Sequence, residues 1–458
     1  MSQKRKNKFN LIQLLAVILA ALFFSSYSYA QTTQDIINQQ DWLTRQQQNK
    51  FEEDKRLKEQ ETIKKERDLE KKLDKENSQT KTKIDDSKIA KCFVINEILI
   101  TETNKTLSAK QKQKLVKPYL GRCLDNQMIF DLTTAITNYF KEKGYAAVKA
   151  IPAHKQNIGD GILEINVTLG KIEKIIINDQ DSFLGNLANK TEKLTAFGTI
   201  EGDVLNLNDL GQGLYQINRL PSNSAKMALE SGSEEGESKV LITNDKKFPA
   251  RANISYDNLG NDFTGIRRTS FSGSLDNMLF LNDSINLNYV TNLNDNSQTK
   301  DIKSFSSGIS IPFGYNTFSY NYSRSEFRGT NPSINDPLRI SGYSDRNNFD
   351  IDRVLLKKSN LKIAANTSLA TKESANYLNQ QKIAVTERKL TIGNIGLSIA
   401  SHFENGADLY LKPTYYKGLK LLNAKKDEPN LTADIPKAQF DYFKFYGSIS
   451  KIFRVLIS

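Results

Sequence analysis

Histidine is almost missing from this chain, two in 458 residues. His154 and His402 are far apart in sequence, and neither has a second ligand at metal-binding spacing. No G-x-x-x-x-G-K-[ST] phosphate loop and no G-x-S-x-G nucleophile elbow occurs, and no pair of acids stands out. No enzyme, cofactor or metal is therefore expected. Cysteine is limited to Cys92 and Cys123. After residue 24 no run is apolar enough for a spanning helix. Lys and Arg exceed Asp and Glu by 64 to 52, but no basic block interleaved with aromatics points to nucleic acid. What remains is a long, mildly basic, turn-rich chain with strands in its second half.

Residues 1–30 read as a secretory signal. Lys4, Arg5, Lys6 and Lys8 form a basic head, residues 11–24 an apolar stretch, and Ser28-Tyr29-Ala30 a small-x-small cleavage site. An uncleaved anchor is the alternative. In a secreted chain an even cysteine count suggests one Cys92–Cys123 disulfide, with two buried thiols as the other possibility. Residues 31–90 contain no Gly, Pro or Cys and balance 14 basic against 14 acidic residues. This composition favours helix locally. The apolar positions Ile36, Ile37, Trp42, Leu43, Phe51 and Leu57 keep no heptad, which argues against a continuous coiled coil. A helix over 34–53 that is polar nearly all round would suit a wet tunnel or plain solvent. The Lys/Glu-rich remainder reads as a linker, and a disordered tail over the whole stretch is the other reading.

From Cys92 the pattern changes to strand (93–101), helix (Ser108-x-x-Gln111 as capping box, to 120), helix (capped by Asp125, with Ile129, Leu132, Ile136 and Phe140 along one side), then strands 146–151 and 161–169. Gly144 stops the second helix. The same order recurs: strand 171–178, helix 184–197, a helix capped by Asn206 through Asn218, then strands 225–231 and 238–244. Two units of one topology make an internal repeat.

Residues 249–458 alternate. Ala252, Ile254 and Tyr256 share one face of a strand while Arg251, Asn253 and Ser255 share the other, and residues 283–289 and 316–323 repeat the pattern. A soluble sandwich also alternates. Here, however, the polar face is Asn, Ser, Thr and Asp rather than Lys and Glu, which suits a wet lumen behind an apolar exterior. Ten strands are expected, near 249–257, 267–277, 283–291, 303–313, 315–325, 347–356, 361–371, 389–400, 407–417 and 438–449.

Several stretches carry a resemblance. Asn138-Tyr139-Phe140-Lys141-Glu142-Lys143-Gly144-Tyr145, the run from Gly159-Asp160-Gly161 to Gly170-Lys171-Ile172, and Leu205-Asn206-Leu207 with Gln216-Ile217-Asn218-Arg219-Leu220-Pro221-Ser222 resemble paired POTRA domains. Asp257-Asn258-Leu259-Gly260 with Thr264-Gly265, and Ser274-Leu275-Asp276-Asn277 with Asn282-Asp283, resemble the first barrel hairpins. Together they resemble the outer-membrane transporters of two-partner secretion, the haemolysin- and adhesin-exporting branch of the Omp85 superfamily.

The resemblance implies α+β periplasmic POTRA repeats followed by an antiparallel transmembrane β-barrel, with an N-terminal plug helix. The boundaries it implies are signal 1–30, plug helix 31–55 (Ile36, Ile37, Trp42, Leu43, Arg45), linker 56–90, POTRA domains 91–169 and 170–247, and barrel 248–458. It implies a monomer in the outer membrane, in contact with lipid, that exports an unfolded haemolysin, adhesin or contact-dependent toxin. Exposed strand edges would capture that exoprotein: Ala146, Val148 and Ala150 in the first domain, Ala225, Met227 and Leu229 in the second. Asn218, Arg219, Leu220, Pro221, Asp257, Asn258, Gly260 and Gly265 are its motif positions.

Departures exist. Gly211 stands where the family has an acid, and Ser231-Gly232 replaces a Pro-Gly turn. The family's Arg-Gly lumen-loop motif and the strand motif that receives it have no counterpart. Where the family's barrel has about sixteen strands, ten are expected here, and the sequence reads as roughly a hundred residues short, six strands with their turns and loops. A barrel-assembly factor, a truncated non-functional product, or a plain surface adhesin or porin are the rival readings.

Overall fold

A computed structural model describes residues 92–451 apart from 103–105, 179–182, 261–262, 293–298, 331–338, 359, 404 and 432–435. The expected signal, plug helix and linker lie outside the described residues.

Two small α+β domains precede one large sheet. The first contains β1 (Phe93–Ile95), β2 (Glu97–Glu102), α1 (Ala109–Val116), β3 (Arg122–Leu124), α2 (Asn126–Glu142), β4 (Val148–Pro152) and β5 (Ile162–Leu169). Its main sheet runs β2-β5-β4, parallel between β2 and β5. The single strand expected over 93–101 is in fact two. Asn96 and Glu97 both donate their backbone N–H to the Gly161 carbonyl, at 2.8 and 3.1 Å. The chain turns there, and β1 leaves the main sheet to pair with β3, a strand too short to carry a pattern of its own. Cys92 and Cys123 are joined beside this small ribbon, with Cα atoms 5.2 Å apart.

Capping follows the sequence. Gln111 Oε1 accepts from the Ser108 backbone N–H at 2.8 Å, and Asp125 accepts from the Met128 N–H at 2.8 Å. Helix α2 then sends Leu132, Ile136 and Phe140, one turn apart, into a core with Ile95, Leu124, Leu163 and Ile165, all fully buried.

The second domain repeats this plan with β6 (Lys171–Asn178), α3 (Phe183–Ala196), α4 (Leu207–Asn218), β7 (Ala225–Ser231) and β8 (Glu237–Asn244), in sheet order β6-β8-β7. The two domains share a tight joint. The Gly170 N–H donates to the Ala147 carbonyl and the Leu205 N–H to the Gly170 carbonyl. Gly144 has φ +95°, and a Cβ there would meet Asn206 Oδ1 and Asn208 Nδ2 at 2.4 Å, so only glycine lets α2 end against the cap of α4.

The large sheet is an antiparallel meander: β9 (Ala250–Asp257), β10 (Arg268–Asp276), β11 (Ser284–Asn292), β12 (Asp301–Phe313), β13 (Asn316–Thr330), β14 (Arg339–Lys358), β15 (Leu361–Leu378), β17 (Arg388–His402), β18 (Ala407–Leu419) and β19 (Asp441–Lys451), with the two-residue β16 (Gln381–Lys382) beside β15. These are the ten expected long strands. β14 and β15 run well past their expected ends, because charged residues there hide the alternation. Among the described residues β9 and β19 are the two ends of the path and do not pair with each other.

Strand parity sorts the two faces. One carries Ile254, Phe271, Tyr289, Phe305, Tyr320, Phe349, Leu369, Ile395 and Phe443, all exposed. The other carries Asn321, Asp350, Asp352, Asn366, Ser368 and Asn394, joined across four strands by hydrogen bonds such as Asn321 Nδ2 to Asp350 Oδ2 at 3.1 Å. No helix among the described residues is long and apolar enough to cross a membrane.

Candidate functional site

Two turns of the large sheet dock on the helical side of the second domain. In the turn between β10 and β11, Asn277, Phe280 and Asn282 all have positive φ. Asp283, fully buried, accepts from the Leu279 N–H at 2.9 Å, and Asn277 Oδ1 accepts from the Asn282 N–H at 2.8 Å. Asn and Asp tolerate this left-handed backbone and hold it with their own side chains. The rigid loop so formed meets α3. Asn282 Nδ2 donates to the Glu192 carbonyl and to Thr195 Oγ1, each at 2.8 Å, and Thr191 Oγ1 donates to the Phe280 carbonyl at 2.6 Å.

The turn between β12 and β13 meets α4. The Gly314 carbonyl accepts from Gln212 Nε2 at 3.1 Å and Gln216 Nε2 at 2.8 Å, and its N–H donates to the Thr195 carbonyl. A Cβ on Gly314 would lie 2.9 Å from the Gly198 Cα, so the two backbones touch at a point where no side chain fits. Tyr315 donates its hydroxyl to Asp209 at 2.6 Å, and burial together with that carboxylate pushes its phenol up. Lys362 reaches back from β15 to the Tyr215 hydroxyl at 2.8 Å.

Arg219 is the centre of this seam. It donates from Nη1 to Ser310 Oγ at 2.7 Å and from Nη2 to the Asn282 carbonyl at 2.6 Å, so one side chain ties the end of α4 to strand β12 and to the β10–β11 turn. Burial pulls its pKa down, opposed by the nearby Tyr215, Asp276 and Asp283. Asp276, itself buried, takes a two-pronged Arg251 contact at 2.8 Å on each oxygen and the Ser222 N–H at 3.0 Å.

The other motif residues divide between the two ends of the sheet. Asn218 brackets Ala225, donating to its carbonyl at 3.0 Å and accepting from its N–H at 2.7 Å, which fixes the start of β7. Leu220 is fully buried, and Pro221 is exposed. Asp257, Asn258, Gly260 and Gly265 lie at the far end. There Asp257 pairs with Arg268 at 2.9 Å, and Gly260 approaches Gly265 so closely that a Cβ would stand 2.0 Å from the Gly265 carbonyl. Asn258 is exposed.

β4 and β7 are edge strands of their sheets. Val148 and Ala150 lean on the first core and Met227 on the second, while Leu229 is exposed. Ala146 sits before β4 rather than in it, packed on the second domain's core. Lys149 of β4 pairs with Glu235 in the turn after β7, holding that carboxyl below its usual range. The seam residues Asp276, Asn282 and Asp283 were visible in sequence only as a hairpin motif. Gln212, Tyr215, Gly314 and Lys362 gave no signal, since their partners are about 100 or more residues away, and Gln216 was visible only as part of the Gln216–Ser222 motif, its partner Gly314 lying 98 residues away.

Family comparison agrees with this architecture. Residues 236–457 match the haemolysin secretion/activation protein ShlB/FhaC/HecB, 93–170 the ShlB-type POTRA domain, and 171–230 a further POTRA domain. An outer membrane transporter CdiB from Dickeya dadantii (strain 3937) is 29% identical over 374 residues, 81% of this chain and 64% of that one. The hemolysin transporter protein ShlB of Serratia marcescens is 26% identical over 72% of this chain and 56% of its own length. The structure of CdiB from Escherichia coli superposes with a TM-score of 0.74 at 25% identity, covering 93% of this chain and 74% of that one. The chain thus spans less than two thirds of these curated relatives, which are transporters rather than enzymes.

Proposed function

This chain belongs to the haemolysin secretion/activation family of two-partner secretion transporters, and from that premise we propose that it passes an unfolded exoprotein across the outer membrane. The aromatic face of the large sheet meets lipid and the Asn/Asp-rich face lines the path. The POTRA domains stand in the periplasm. An extended segment of exoprotein adds to the edge of β4 or β7, where backbone hydrogen bonds hold it and Val148, Ala150, Met227 and Leu229 lie beside it. The segment then crosses the lumen, and folding outside prevents its return. Haemolysins, adhesins and contact-dependent toxins are the exoprotein classes this suits.

The observation that carries the reading is the seam. Arg219, Gln212 and Gln216 fix the second POTRA domain directly on two turns of the sheet, so a chain held at β7 is held at a constant position relative to the wall. Residues 34–53 would fill the lumen until cargo arrives, and removing them should raise ion conductance.

The test is secretion with a cognate exoprotein. Leu229→Asp places a charge on the β7 edge and should lower the secreted amount about tenfold, the effect of losing one binding hot spot, while gel migration before and after boiling stays as in the parent. Undiminished secretion would remove β7 from the capture step, and recovery of the mature protein in the soluble periplasmic extract would end the whole reading.

A further inference from the structure

On the aromatic face, the apolar pattern stops along one line. Moving along β12 away from the docked turns, Phe313, Ile311, Ile309 and Phe305 give way to Lys303 and Asp301. Along β13, Phe318, Tyr320 and Tyr322 give way to Arg324, Glu326 and Arg328. Register places Phe305 opposite Arg324, Arg324 opposite Asp345, Asp345 opposite Glu373, and Glu373 opposite Lys389. The change from apolar to charged therefore crosses the sheet at one level. That level is at the end of the strands opposite the POTRA seam, so on the proposed reading it is where the outer leaflet's hydrocarbon meets its headgroups.

Two adjoining hollows straddle the line. The upper one, about 230 Å³, is lined by Lys303, Arg324, Arg328, Ser341, Tyr343 and Tyr377, with Asp301 and Glu326. The lower one, about 160 Å³, is lined by Tyr289, Phe305 and Tyr322 and shares Lys303, Arg324 and Glu326 with the upper. A cation- and hydroxyl-lined hollow above an aromatic-lined one is complementary to an amphiphile with an anionic head. Three cations outnumber the two carboxylates of the upper lining, and those carboxylates fix the positions of Lys303 and Arg324. Glu326 and Asp345 hold Arg324 at 2.7 and 3.3 Å, with its guanidinium 5.7 Å from the centre of the Tyr343 ring. Asp301 holds Lys303 at 3.3 Å, and Arg328 forms no ion pair among the described residues.

We propose that this double hollow binds the phosphate-bearing headgroup of an outer-leaflet lipid, with Lys303, Arg324 and Arg328 on the phosphate and Phe305, Tyr289 and Tyr322 along the first part of the tails. The inference rests on the membrane orientation proposed above. It adds a ligand site that export itself does not require.

The experiment uses the full chain purified in detergent, with retained lipid measured after incubation with bisphosphorylated lipid A or with the same lipid stripped of its phosphates. Retention of the phosphorylated form alone is expected. Replacing Lys303→Gln, Arg324→Gln and Arg328→Gln together should lower it about tenfold or more, since each basic residue beside an anionic lipid surface contributes to its capture. The charge-preserving set Lys303→Arg, Arg324→Lys and Arg328→Lys should keep most of it. Equal retention of both lipids, or undiminished retention by the Gln set, would overturn the site. Displacement of the lipid by inorganic phosphate at matched concentration would assign the hollow to a free anion instead. Heat-modifiable migration is read on every sample. Its loss in the parent protein would mark failure of the barrel reading, whereas its presence without lipid selectivity would mark failure of this site alone.

Discussion

The two POTRA domains and the large sheet use the same period-two alternation in opposite senses. In the domains the apolar face is hidden: Ile165 and Leu163 of β5, and Val240 and Ile242 of β8, are within 1% of complete burial. In the sheet it is displayed: Phe443 is 82% exposed and Ile449 73%, while Ser344, Asn376 and Ser398 of the other face are buried. The difference lies in the solvent each face was selected for, since both are ordinary strands. An aqueous domain must bury its apolar area, about 25 cal/mol for each Å². A sheet that stands in hydrocarbon gains nothing by hiding that area and must satisfy its backbone polar groups between strands instead. The seam joins the two regimes and belongs to neither, being built of Arg219, Gln212, Gln216, Asn282 and Asp283.

The contrast can be broken at its strongest point by truncating Phe140, fully buried in the first core. Phe140→Ala should cost about 4 kcal/mol, read by chemical denaturation of the POTRA region, whereas Phe443→Ala should leave the same transition in place. A comparable loss from both would mean that the aromatic face packs as a core. Next in size, Ile395→Arg puts a charge on the lipid-facing side of β17 and should destabilise the inserted sheet by roughly 3 kcal/mol if it lies near the midplane. Reversible unfolding from lipid vesicles measures this, and a neutral result would place that face in water. Arg219→Ala leaves the Asn282 carbonyl and Ser310 without their donor and should cost about 2 kcal/mol. It should speed protease cleavage between the second domain and β9, and unchanged cleavage would show that the remaining seam contacts suffice.

The smallest expected effect sharpens the aqueous side. Burial raises the Glu102 pKa, but hydrogen bonds from Thr106, Lys112 and the Leu107 N–H outweigh it and hold the carboxyl below its ordinary 4.5. A depressed folded pKa contributes stability above the unfolded value that is lost as pH falls through the folded one. The first domain should therefore begin to lose melting temperature only below pH 4.5, and Glu102→Gln should flatten that slope. An equally steep slope in the variant would assign it to another group.

How much of this was legible in advance depends on how far apart the interacting residues are. The helix caps at Ser108, Asp125 and Asn206 and the ten long strands were readable because their signals lie within a turn or a strand. The break at Asn96 was not, because it depends on the Gly161 carbonyl, more than sixty residues away, and the short β3 was not, because it exists only by pairing with β1, the strand that this break sets free. The far halves of β14 and β15 were missed because charges such as Arg339 and Glu373 interrupt the alternation beyond the apolar band.

By itself the sequence determined which stretches are strands, which face of each is apolar, the repeat of the two small domains and the cysteine pair. These follow from local chemistry: side-chain alternation, capping oxygens, and glycine where φ is positive. Only the tertiary structure decided that Arg219 and the Gln212–Gln216 pair grip the sheet at two turns and strand β12, and that cations and aromatics from β11 to β15 line two adjoining hollows. The seam contacts span about 60 to 150 residues of chain, and no local preference encodes a partner that distant.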